Sequence, residues 1–175
     1  MAAMASGLAS ELTLDILDVL GPDVSYVRLP GRNEHRSYLT GIELGTAVAV
    51  AVLIGFLKGV VEGVGETLGK PLGRRLGERL AVLLQLEDEA TRLRQDSLDE
   101  LRAEVRRLQA QLDELLDAYR ADRPLGALTE AERAAVLASA TTQVAAQLER
   151  SGFPPPRAAQ QAARLAGLVD ARLEA

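Results

Sequence analysis

The chain has 175 residues, no cysteine and a formal charge of −5. Disulfides and thiolate metal sites are therefore excluded, and the acidic balance argues against nucleic acid as the main partner. Hydrophobic residues make up 47% and aromatics only 3%, a content too apolar for a disordered chain and one that suits helix–helix contacts built from Ala, Leu and Val better than a wide aromatic core.

Residues 1–40 form the first unit. Ser10 is placed to cap a helix over 11–20 with Leu12, Ile16, Leu17 and Leu20 on one face, although Leu12, Leu14 and Ile16 also alternate as in a strand. Gly21-Pro22-Asp23 is a turn. The β-branched and aromatic content of 24–29 and the return segment 36–40 predict a small β-hairpin, giving this unit an α/β character. No basic n-region follows Met1, and Glu11, Asp15 and Asp18 interrupt any apolar leader, so a cytoplasmic start is expected.

The second unit, 41–69, holds an unbroken apolar run from Thr46 to Leu57. Small residues recur every fourth position, and Gly55, Gly59 and Gly63 form a glycine zipper along one helix ridge. Glycine there costs ~1 kcal/mol per residue against alanine in a soluble helix, so close packing must offset it. Two surroundings satisfy the pattern, and a third reading has the zipper insert into a membrane only after a trigger. One is a lipid bilayer, with Lys58 snorkelling and Arg74, Arg75 and Arg79 as the cytoplasmic basic flank. The other is a buried helix in a soluble assembly. The uninterrupted run is shorter than the ~20 apolar residues of a comfortable span.

Pro71 breaks the pattern and opens the third unit, 71–122. Leu72, Leu76, Leu80 and Leu83 keep one face apolar, and Leu101, Val105, Leu108, Leu112, Leu115 and Tyr119 then step by four and three as a heptad seam. Two successive steps of four through Ser97 make a stutter. Unbroken from 72 to 119, this helix would be ~70 Å long at 1.5 Å per residue and would need a partner helix. Self-association through a coiled coil is the expectation, and an intramolecular hairpin the alternative.

The fourth unit, 126–175, reads as a helical hairpin. Thr129-Glu-Ala-Glu132 is a capping box, with Val136 or Leu137, Ala140, Val144 and Leu148 as the stripe behind it. Ser151 to Pro156 breaks the helix, and a last one from about Arg157 carries Ala162, Leu165, Ala166, Val169 and Leu173.

Catalytic signals are few. His35 is the single histidine, in a loop, and Glu87-Asp88-Glu89 points to different helix faces. The stretch Gly63 to Lys70 has Val64 where a phosphate loop needs glycine and Pro71 where it needs Ser or Thr. No catalytic residue, cofactor or metal ligand is assigned.

The expected fold is mainly α: a helical hairpin or coiled coil, a small N-terminal α/β segment and a C-terminal helical hairpin. The expected function is a non-enzymatic, self-assembling membrane-associated protein, a scaffold or pore-forming effector on the cytoplasmic side of an inner membrane. The Arg and Ala bias reads as high-GC bacterial genome composition. Its partners would be copies of itself, other proteins bound through the coiled coil and hairpin, and the bilayer. The alternative is a soluble cytoplasmic adaptor or structural subunit whose apolar helix is covered by a partner chain.

Overall fold

The computed structural model describes residues 7–21, 23, 41–67, 69, 78–83, 85 and 98–174. Helix α1 spans Leu8–Leu20 and α2 spans Gly41–Glu62, continued by a π-helical turn at Gly63–Thr67. Helices α3 (Leu98–Asp122), α4 (Glu130–Arg150) and α5 (Pro155–Glu174) follow, and residues 78–83 are also helical.

Period, not alternation, decides α1. A strand would put Leu12, Leu14 and Ile16 on one face. Instead Ala9, Leu12, Ile16 and Leu20 face the core, while Leu14 points outward and is 64% exposed. The strands expected at 24–29 and 36–40 lie outside the described residues. Among the described residues there is no strand, so the small N-terminal α/β segment is not supported. Helix α1 has no side-chain cap of its own; Asp113 of α3 accepts from the Ala9 N–H at 2.8 Å instead. The side chain of one helix thus satisfies a donor that the start of another leaves unpaired. At its other end Gly21, with φ 47°, turns the chain out of the helix.

Helix α2 is apolar all round and buried on every face along its middle, with Val48, Val50, Val52, Leu53, Ile54, Phe56, Leu57 and Val60 all in the core. A helix that is apolar all round has to be covered, and α2 touches α1, α3, α4 and α5, most extensively α4.

Residues 78–83 and α3, both within the expected helix over 72–119, do not lie in one straight helix. Arg79 Nη1 lies 2.7 Å from Glu114 Oε2. In one straight helix the two residues would be roughly 50 Å apart at 1.5 Å per residue. The run at 78–83 therefore lies beside α3 rather than in line with it, and Leu80 and Leu83 join the common core. The heptad seam is used internally: Leu108, Leu112, Leu115 and Tyr119 are buried, in a helix that packs on α1, α2 and α5.

Thr129 and Glu132 make both bonds of the capping box that opens α4, at 3.2 and 3.3 Å. The inner stripe is Val136, Ala140, Val144 and Leu148, joined by Gln147. Helix α5 starts two residues earlier than expected, at Pro155. Proline suits a first turn because its missing N–H would have no helical partner there. Helices α4 and α5 pack on each other, and their inner faces share one core with α2.

Candidate functional site

The glycine-zipper residues converge on one helix of the same chain. A Cβ on Gly55 would sit 2.9 Å from Gln147 Cγ and 3.1 Å from the Gln143 carbonyl oxygen. On Gly59 it would overlap Ala140 Cα and lie 2.8 Å from both Ala140 N and Ser139 O. On Gly63 it would be 3.0 Å from Val136 Cα. As α2 advances, α4 recedes, so the two helices run antiparallel with the glycines as notches. Ala140, itself small, enters the deepest notch. Beside the last notch, Gln143 Nε2 donates to Glu62 Oε2 at 2.8 Å.

The second set of expected contact residues is also internal. Leu108, Leu112 and Leu115 are buried, Val105 is half-buried, and the side chain of Leu101 lies outside the described residues. Gly55, Gly59, Gly63 and the Leu108–Leu115 seam thus all serve one interior. The glycine ridge is closed by α4, and the described part of the seam by the chain's own helices.

Sequence reading missed the buried polar groups. Asp23, 6% exposed, accepts from Arg157 Nε at 2.7 Å and from Gln161 Nε2. Burial pushes its carboxyl up, but the bonds from Arg157 and Gln161, with the charges of Arg157 and Arg164, together hold it below the usual carboxylate range. Asp23 follows Gly21 and Pro22 in a sequence that predicts a turn, where a solvated residue is the default reading; no local pattern points to a partner 134 residues away. A second cluster joins α4 to α5, where Arg133 Nη2 bonds both oxygens of Asp170, at 3.0 and 2.8 Å. Tyr119 of α3 lies close to it with its hydroxyl buried and unpartnered. Burial, then Asp170 and Glu174, push that phenol well above its ordinary range against the opposing field of Arg133, so it stays protonated.

An unpartnered buried hydroxyl carries its desolvation cost with no bond in return. Tyr119→Phe is therefore expected to leave stability unchanged or raise it by up to ~1 kcal/mol, read as the urea midpoint. A loss above ~1 kcal/mol would mean that the hydroxyl has a partner.

Among the described residues no group of three His, Cys, Asp or Glu side chains could hold a metal ion. The Arg133–Asp170 pair joins α4 to α5, and the Arg157–Asp23 pair joins α5 to the residue that lies three positions beyond α1. The described residues define a mainly helical protein built around one caged apolar helix. Set against known family models, curated proteins and solved structures, the chain matches none.

Proposed function

We propose that this is a non-enzymatic helical protein that acts by association, and that its folded form is a soluble structural or adaptor subunit. The supporting observation is the contact of Gly59 with Ala140 and Ser139. Backbone meets backbone there, which is what the glycines of α2 are for in this fold. The covering surface is the chain's own α4, in place of the partner chain or bilayer that the sequence pattern also allows. A helix seated this way is unavailable to a second copy, so partners must dock on other surfaces. This reading puts the protein in the cytoplasm.

The membrane-associated reading, as scaffold or pore-forming effector, keeps one observation in its favour. The stretch Thr46–Gly65 is long and apolar enough to cross a bilayer, although 72% of it is buried inside the fold. The core helix of a soluble protein meets the same criterion.

Fractionation and sedimentation at neutral pH separate the two. The soluble reading expects the protein in the supernatant, as a particle near the 18.7 kDa of one chain. Pelleting with membranes through high salt and carbonate would overturn it.

A further inference from the structure

We infer that the run Pro154-Pro155-Pro156 is a timing element in synthesis, which holds the ribosome while α2 is made and α4, its main cover, is still inside the exit tunnel. This goes beyond the proposed association and does not depend on it.

The finished fold has a use for only one of the three prolines. Pro155 opens α5, where its missing N–H has no helical partner to lose and its fixed φ suits the helix. Pro154 stands just before it, and its carbonyl accepts from the Ala158 N–H at 2.8 Å. That is the N-cap position, where Ser, Thr, Asp or Asn would offer a side-chain acceptor to a free N–H and proline offers none. All three proline side chains are exposed, so none fills the core. Phe153, 3% exposed, is the residue that anchors this turn. A local choice that forgoes a cap and gains no packing points to a role outside the finished fold. Docking to an aromatic groove is not that role. Such grooves take proline in an extended polyproline helix, whereas Pro155 and Pro156 lie in the first turn of α5 and Phe153 is buried.

The chemistry of peptide-bond formation supplies a role. The incoming amino nitrogen attacks the peptidyl ester, the ester bond to the tRNA breaks, and the nitrogen's proton passes to the departing tRNA hydroxyl. The proline nitrogen is secondary and hindered by its ring. A proline at the peptidyl end also has a fixed φ, which limits how its ester can be presented. A proline–proline bond meets both obstacles, and this run requires two such bonds in succession. Ordinary synthesis adds ~5–20 residues per second, so slow bonds here stretch an interval that is otherwise short.

The place of the run decides what is waiting. With Pro155 at the peptidyl end, Glu130 lies at most ~90 Å behind it even in fully extended chain, so α4 is within the tunnel. Helix α2 was made before the whole of α3 and is outside. The atoms that close on its glycine ridge, from Val136, Ser139, Ala140, Gln143 and Gln147, all belong to α4. During the pause the notches at Gly55, Gly59 and Gly63 are uncovered, and this apolar helix is open to its surroundings.

The test is one synchronised round of synthesis of the full chain in a complete reconstituted translation system. The chain has no Cys, so Val60→Cys, at a position 0% exposed in the finished fold, gives a single thiol that a maleimide-linked polymer reports as a mass shift. The expected result is a discrete peptidyl-tRNA ending within 154–156 that chases into full-length chain. Its thiol is modified in the paused species and protected in the released protein. Pro154→Ser with Pro156→Ala keeps Pro155 at the start of α5; it reduces the paused band several-fold and leaves the urea midpoint of the finished protein equal to the parent's or higher. The band is read on the parent chain, so that arm stands if Val60→Cys fails to fold. Absence of a band in the parent would overturn the timing role. A thiol already protected in the paused species would show that α2 is covered without α4 and would overturn the uncovered interval. A lower urea midpoint in the proline variant would mean that the fold itself requires the run, and would overturn the inference at its first step.

Discussion

Replacing Gly59 with leucine is expected to remove about 4 kcal/mol or more of folding stability, the range reserved for severe core disruption. The first atom added, Cβ, already overlaps Ala140 Cα and crowds Ala140 N and Ser139 O. Those are helix backbone atoms and cannot move one at a time. Helix α4 must shift as a body, and the shift opens the contacts at Gly55 and Gly63 as well. Since a domain of this size is held by only about 5–15 kcal/mol, the variant should be largely unfolded or much less resistant to urea. Gly167→Ala on α5 is the matched control. A Cβ there meets nothing within 4 Å, so the change should gain up to ~1 kcal/mol from helix propensity. The readout is the urea midpoint of each variant at equal concentration. A Gly59→Leu midpoint equal to the parent's would mean that α2 and α4 do not approach this closely in solution.

How much of this was legible in the sequence depends on the range of the cause. Local causes were readable. The Thr129–Glu132 capping box acts over three residues, and the chain forms it. The apolar run after Thr46 and the four-residue glycine spacing identify a helix with a notched ridge before any partner is known. What fills the notches was not readable, because lipid-embedded helices, a second copy and α4 all offer the same small, apolar surface. Ala140 and Ser139 look like many other Ala and Ser positions in this chain. The heptad seam is open for a related reason: steps of four and three fix which face of α3 is apolar but not whose surface covers it. The Arg79–Glu114 contact, which sets 78–83 beside α3, joins two positions far apart in sequence, and nothing in the periodicity up to Leu83 announces that pairing. The cap that Asp113 provides to α1, and the pairing of Asp23 with Arg157, arise only after distant segments have packed.

Val50→Asp combined with Leu53→Asp is expected to unfold the C-terminal hairpin together with α2. A hairpin with its own capping box and apolar stripes would survive loss of the upstream helix. The fold says otherwise, because Val50 and Leu53 are 2% and 0% exposed in the same core that buries Val136, Ala140, Val144 and Leu165. An unpaired carboxylate in such a place costs several kcal/mol, and two of them together approach the whole stability of about 5–15 kcal/mol. Each new carboxyl can reduce its cost by staying protonated, which raises its folded pKa above its unfolded one. The folded state then binds more protons than the unfolded state, so the deficit of the variant relative to the parent must shrink as pH falls. Asp23 has the opposite slope: its depressed pKa makes its contribution to the parent disappear in acid. Circular dichroism across the pH range measures both slopes in one experiment, and limited proteolysis at neutral pH reports on α4 and α5 directly. Cleavage throughout α4 and α5 in the double variant, with the parent protected, is the expected pattern. If α2 is degraded while residues 130–174 remain resistant, the hairpin folds by itself and the shared core is not what holds it together.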